Sequence, residues 1–235
     1  ASLTPGTPLI AETGGLNAMI VDSSALPEQA VRDIVNGAFR SAGQRCSALR
    51  CLYVQEDIAS HMIPMIQGAM DELVVGDPWD LATDVGPVID AGAQGDIADY
   101  IAANGNRVIH KLDVPARGTF IPPTMLRVGG IADLEREIFG PVLSTVRAAS
   151  YEEALKLAMD HEYGNGIAMF TRDGDTARDF ASRVNVGMIG INVPIPVPLA
   201  YFTFGGWKKS GFGDLNQHGP DAFRFYTRTK TVTAR

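Results

Sequence analysis

Cysteine is scarce in this chain: 235 residues contain two, Cys46 and Cys51, five positions apart. That spacing makes neither a disulfide framework nor a Cys-x-x-Cys pair, and such sparing use suits a reducing compartment. The four histidines, His61, His110, His161 and His218, are far apart and complete no His-Glu-x-x-His pattern, so no metal is expected. Long apolar runs are missing too; none approaches the roughly 20 residues of a membrane-spanning helix. Residues 1–15 lack the basic start and apolar middle of a signal peptide, which makes a cytoplasmic or organelle-matrix location the expectation. Positive charge is in deficit, with 20 Lys and Arg against 27 Asp and Glu, and a net charge of -7 argues against nucleic acid or anionic membrane as a partner. Finally, no Gly-x-Gly-x-x-Gly follows a strand and no Walker loop occurs, so by motif alone there is no nucleotide-binding half.

Hydrophobic residues, by contrast, make up 46% of the chain, enough for one sizeable core or two small ones. Ala30, Val31, Ile34, Val35, Ala38 and Phe39 recur at helical spacing and predict a helix over 27–41, with Pro27 at its first turn. Short apolar runs at 17–22 and 48–54 read as buried strands on either side of it. Further helices are expected at 56–73 and 91–103, with strands near 107–112 and 124–128. From 142 onward the pattern is regular: strand 142–147, helix 151–160, strand 166–171, helix 175–184, strand 187–192. Strands joined through single helices require right-handed crossovers, so the fold class is α/β, an open mostly parallel sheet with helices on both faces. The segments after such strands are the usual ligand crevice. Residues 223–234 alternate Phe, Thr and larger side chains and predict a late strand for oligomerisation or interdomain pairing, leaving 1–222 as the main domain.

Chemistry converges on Gly43-Gln44-Arg45-Cys46-Ser47, a polar turn between a helix and a strand, where a packed scaffold displays a side chain that stays reachable. Composition alone leaves Cys46 open between a nucleophile and a buried structural cysteine. A cation such as Arg45 beside it would favour the thiolate. Cys51, three residues into the apolar strand, reads as core. Leu9-Ile10-Ala11-Glu12-Thr13-Gly14-Gly15 is a strand opening onto a turn, and Glu12 at its end is either an ordinary strand-end acid or a base.

Three motifs in order, Glu12-Thr13-Gly14-Gly15, Gly43-Gln44-Arg45-Cys46 and Glu137-Ile138-Phe139-Gly140-Pro141, resemble the aldehyde dehydrogenase superfamily, as does the ending Phe204-Gly205-Gly206 with Lys230-Thr231-Val232-Thr233. Thirty-four positions separate Glu12 from Cys46, a separation similar to that family's. Up to about residue 147 the chain looks most like the glutamate-semialdehyde (pyrroline-carboxylate) dehydrogenase of bifunctional proline-catabolic enzymes. Beyond that, Tyr163-Gly164-Asn165-Gly166, the 192–198 stretch and Phe225-Tyr226-Thr227 look more like methylmalonate-semialdehyde dehydrogenase. The chain thus reads as a mosaic, an engineered or recombined catalytic domain.

The resemblance implies a catalytic half without its N-terminal cofactor-binding domain. It also implies oxidation of a carboxylate-bearing aldehyde with NAD as the family's cofactor, impaired in the isolated domain. Cys46 would be the nucleophile and Glu12 the base that activates water for hydrolysis of a thioester. Coenzyme A-dependent relatives typically lack that acid. Glu137 and Phe139 match positions that hold the nicotinamide ribose and flank its ring, although Glu137 also reads as a solvated turn acid. Arg45 and Ser47 would grip a substrate carboxylate and Phe204 would shape the pocket wall. The 212–215 stretch departs from the proline-catabolic pattern. The alternatives are a coenzyme A-acylating dehydrogenase, a cofactor-free esterase in which Cys46 and Glu12 suffice for acyl transfer, or a non-catalytic assembly module. The expected partners are a small-molecule aldehyde and either a second copy or the missing cofactor domain.

Overall fold

Runs of consecutive buried residues mark the middle of the molecule. Asn17–Val21 (β2) and Gly166–Phe170 (β8) are buried at every position, which a strand achieves only when both sheet faces are covered. The computed structural model describes residues 4, 6–213 and 215–235. Part of the 1–15 stretch (residues 1–3 and 5) and Asp214 of the 212–215 departure lie outside them.

Ala11–Glu12 (β1) precedes β2, which leads into the helix Pro27–Phe39 (α1) and then the strand Leu49–Gln55 (β3). There follow Glu56–Asp71 (α2), Ala91–Ala103 (α3), Val108–Lys111 (β4), Thr124–Arg127 (β5), Val142–Ala148 (β6) and Tyr151–Met159 (α4). Tyr163–Gly164 (β7), β8, Gly174–Arg183 (α5), Met188–Ile191 (β9), Trp207–Lys208 (β10), Gly211–Phe212 (β11) and Pro220–Tyr226 (α6) complete the chain.

Seven strands form one sheet in the order β4-β5-β6-β3-β2-β8-β9. All neighbours are parallel except β4 on β5. Helix α1 buries the apolar face expected of it, and α1 and α2 pack together on β3 and β6. Helix α4 lies on β2, β3 and β6 and is started by Ser150, whose hydroxyl accepts from the Glu153 N–H at 3.2 Å. Asp173 does the same for α5, accepting from the N–H groups of Asp175 and Thr176 at 2.8 Å each. The mostly parallel α/β class expected of the sequence is therefore the observed one.

Two small antiparallel pairs fasten the late part of the chain to the site. β11 pairs with β1, placing Glu12 opposite Gly211, and β10 pairs with β7, placing Trp207 opposite Gly164. The first part of the strand expected over 223–234 is helical. Gly219 at φ 68 and Pro220 start a short helix instead, a Pro-first helix entry that outranks the weak alternation behind it. Residues 227–235 pair with no described strand and are exposed.

Candidate active site

Cys46 sits at the amino edge of the sheet, just before β3, where β2 and β3 begin side by side at Asn17 and Leu49. The crevice expected after the strands is thus displaced to the opposite end. The segment 193–198 nevertheless reaches it: Asn192, in the left-handed region at φ 55, turns the chain back, and Pro196 packs against Gly166 at the start of β8.

The turn that presents Cys46 is made of left-handed residues in sequence, Ser41 at φ 56, Ala42 at φ 51 and Gly43 at φ 67. Such conformations cost energy for residues with a Cβ and persist only where neighbours hold them. Arg50 does the holding. It is 2% exposed, and it donates to the carbonyls of Gly43 at 2.6 Å, Arg45 at 3.0 Å and Gly140 at 3.0 Å. A Cβ on Gly43 would stand 2.2 Å from that same Gly140 oxygen, so only glycine lets the two segments meet.

Glu137 and Phe139 arrive on the 137–141 segment. Glu137 accepts from the Gly15 N–H at 3.3 Å through one oxygen, and the other lies 3.9 Å from Arg50. That second oxygen, Oε1, is buried and makes no hydrogen bond to the described residues. Phe139 stands at φ 55, 44% exposed, with the Arg50 guanidinium 5.7 Å from its ring centre. Burial raises the Glu137 carboxyl above the ordinary range, opposed by Arg50 and the Gly15 N–H. The guanidinium of Arg50 is pulled down to about 10 by burial, with Glu137 and Cys46 opposing.

Burial is also the first cause that raises the Cys46 thiol, followed by the charges of Glu137 and Glu12; the backbone N–H groups of Cys46 and Ser47 pull it back down. Arg45, expected to favour the thiolate, donates from Nε to the Ser41 hydroxyl at 3.1 Å, and the charge of Cys46 acts in turn on the Arg50 guanidinium. Glu12 is half-buried, its carboxyl raised by desolvation and lowered by the Gly206 N–H, which donates to Oε1 at 3.5 Å. Cys51 is fully buried and its thiol is pushed up to about 12, which suits a core residue.

Gln44, Arg45, Cys46, Ser47, Phe139, Ile195, Val197 and Phe204 line one open cleft of about 650 Å³. Five of the seven residues singled out from the sequence meet there; Glu12 and Glu137 reach the thiol by their charge without lining the cleft. Ser47 is buried, and Phe204 is backed by His218, ring centres 5.6 Å apart. Among the described residues no group of three or more His, Cys, Asp or Glu is placed to hold a metal ion, and no helix is long and apolar enough to cross a membrane.

Sequence reasoning missed Arg50, Asn17 and Asn165. A charged residue inside the apolar run Leu49-Arg50-Cys51-Leu52 was the available signal for the first. Asn17 and Asn165 both donate to the Cys46 carbonyl, and nothing in their sequence surroundings points to that shared target.

An exposed thiol thus opens into this cleft, with the charges of Glu137 and Glu12 acting on it. The chain belongs to the aldehyde dehydrogenase family, whose pattern matches residues 1–232. It is 40% identical over 233 residues to a malonate-semialdehyde dehydrogenase of Pseudomonas aeruginosa, covering 94% of this chain and 47% of that protein. It is 43% identical over 220 residues to the bifunctional protein PutA of Klebsiella aerogenes, covering 88% of this chain and 17% of that one. A Sinorhizobium meliloti protein described as a methylmalonate-semialdehyde dehydrogenase, solved in complex with NAD, superposes with a TM-score of 0.89 at 44% identity over 96% of this chain and 48% of its own. Each resemblance runs along most of the chain, which spans about half or less of the length of these relatives.

Proposed function

We propose that this chain is the nucleophile-bearing part of a semialdehyde dehydrogenase that oxidises a carboxylate-bearing aldehyde of glutamate-semialdehyde type to the acid. The observation that carries the reading is Cys46 opening into the cleft with the charges of Glu12 and Glu137 both acting on its thiol. The thiolate sulfur attacks the aldehyde carbon, forming a C–S bond and leaving charge on the former carbonyl oxygen, for which the Cys46 N–H would serve as a donor. Arg45 at the rim and Ser47 beside the nucleophile are the groups that would meet the substrate's carboxylate.

Glu137 and Phe139 fit NAD: a buried carboxylate oxygen without a hydrogen bond suits ribose hydroxyls, and an exposed aromatic ring in the cleft suits a flat one. NAD, when bound, supplies the acceptor for the hydride. For a Cys46 thioester, Glu12 takes a proton from water, the water oxygen bonds to the acyl carbon, the C–S bond breaks and the thiol is restored. Burial poises that carboxyl for the task, and its presence favours water over coenzyme A as acyl acceptor. The likeness to malonate-semialdehyde dehydrogenases supports the coenzyme A-acylating alternative.

The test is product analysis after incubation with NAD and either glutamate semialdehyde or malonate semialdehyde, with and without coenzyme A. Free acid from glutamate semialdehyde, lost in Cys46→Ala, is the expected result. Acyl-coenzyme A from malonate semialdehyde alone would overturn the choice of substrate and acceptor. Acyl transfer without NAD is tested apart from this by intact mass after p-nitrophenyl acetate, where one acetyl group on the Cys46 peptide is expected.

A further inference from the structure

The carbonyl of Cys46 receives two side-chain donors: Asn17 Nδ2 at 2.6 Å and Asn165 Nδ2 at 2.9 Å. Both amides are buried at the amino edge of the sheet, Asn17 at the first position of β2 and Asn165 immediately before β8. Asn17 is fixed in turn, since its Nδ2 also donates to the Ala48 carbonyl at 2.9 Å and its Oδ1 accepts from the Gly166 N–H at 3.0 Å. Asn165 is different. Its Oδ1 is buried and has no hydrogen-bond partner among the described residues, so its amide is compensated only through the bond to Cys46. The orientation is unambiguous, because a peptide carbonyl can only accept. Gly15 makes room for the arrangement: a Cβ there would lie 3.0 Å from the Asn165 Cβ and 3.2 Å from the Cys46 oxygen.

The Cys46 carbonyl and the Ser47 N–H belong to one peptide unit, and that N–H is one of the two backbone donors that lower the Cys46 thiol. Hydrogen bonds to the oxygen of a peptide unit polarise it and strengthen donation from its nitrogen. They also fix its plane. We propose that Asn17 and Asn165 are positioning residues for the nucleophile, clamping and polarising the Cys46–Ser47 peptide so that the Ser47 N–H is directed at the Cys46 sulfur. The inference deepens the reading of Cys46 as nucleophile and rests on it, but its test needs neither aldehyde nor NAD.

The charged groups that act on the sulfur are Glu12 from β1 and Glu137 from the 137–141 segment, the sulfur acts in turn on Arg50 from β3, and none of the three is altered by changing Asn165. Cys46 of the full chain is alkylated with iodoacetamide across a pH series and followed by peptide mass, with buried Cys51 as the silent reference. Asn165→Leu removes the donor at similar volume. The expected result is a profile midpoint moved to higher pH, with alkylation near neutral pH slowed about two- to fivefold. Thr171→Ala, in the distant cluster where Thr171 Oγ1 donates to Asp22 at 2.6 Å, controls for simple loss of stability and should leave the midpoint in place. An unmoved midpoint in Asn165→Leu, or an equal shift in Thr171→Ala, would overturn the proposal. Should the leucine variant fail to fold, Asn165→Ala is judged by the same two criteria.

Discussion

Arg50 Nη2 lies 3.9 Å from Glu137 Oε1 and, with the same nitrogen, donates to the Gly43 carbonyl at 2.6 Å. One buried cation thus joins the acid of the 137–141 segment to the left-handed turn that carries Cys46. Removing only that cation leaves a buried carboxylate and three carbonyls without their donor. Arg50→Met should therefore destabilise the chain by about 3–5 kcal/mol, measured by urea unfolding. The double variant Arg50→Met with Glu137→Leu should recover part of the loss, because no buried charge is then left alone. Additive losses in the double-mutant cycle would show that the two side chains are not coupled.

Gly43→Ala tests the other side of the same joint. The substitution asks a Cβ to adopt φ 67 and to stand 2.2 Å from the Gly140 oxygen. Strain and displacement together should cost on the order of 2–3 kcal/mol, read as a drop in the urea midpoint. A cost below that of an ordinary surface substitution would mean that the turn and the 137–141 segment separate freely.

How much of this was legible in the sequence follows from what each residue's neighbours in the chain reveal. Local periodicity sufficed for α1, whose six expected apolar residues are all buried, and for α3, observed at the expected 91–103. It missed the helix that takes in 223–226, and pairing of 227–234 depends on an edge that no local pattern specifies. The motifs around Glu12, Cys46 and Glu137 pointed to one site although they are distant in sequence, and the turn places Cys46 in a cleft with Phe139 and Phe204. What held that turn was not legible. Arg50 and the asparagine pair act across 29 to 119 positions of sequence or through backbone carbonyls, which every residue possesses and no motif marks.

Glu12 contributes a pH dependence of definite sign. Its carboxyl in the folded chain is raised above the unfolded value of about 4.3. The folded state therefore holds the proton more tightly, and that contribution is fully present below the unfolded value and lost as pH rises through the folded one. Glu12→Gln carries no ionisation and can keep an acceptor for the Gly206 N–H. Its stability relative to the parent should rise as pH is taken from about 4 to about 7. Thermal melts at both ends of that range check it, and a difference that stays constant or runs the other way would show that burial does not dominate at this carboxyl.

The Cys46 thiol supplies a second pH readout, independent of the first. Glu137 is the charge with the largest effect in raising it, after burial. Glu137→Gln should therefore move the alkylation midpoint of Cys46 to lower pH and speed its reaction near neutrality. The parent itself should titrate above the ordinary thiol value of about 8.5. Should the variant titrate higher than the parent, the carboxylate's influence would have to run through Arg50, by holding the guanidinium in place, and not through direct repulsion.

Residues 228–235 make no strand pairing with the described part of the chain, and Val232 is 79% exposed. A segment without buried apolar surface contributes little to folding, so truncation after Thr227 should change stability by no more than about 0.5 kcal/mol. The helix before it should survive, because Thr227 Oγ1 donates to the Phe223 carbonyl at 2.5 Å and is retained. The same variant reports on assembly. If the tail serves as an edge strand for a second copy, light-scattering mass should fall on truncation while the dilute-solution melting temperature stays in place. A large drop in melting temperature at low protein concentration would instead mean that the tail belongs to the fold of the single chain.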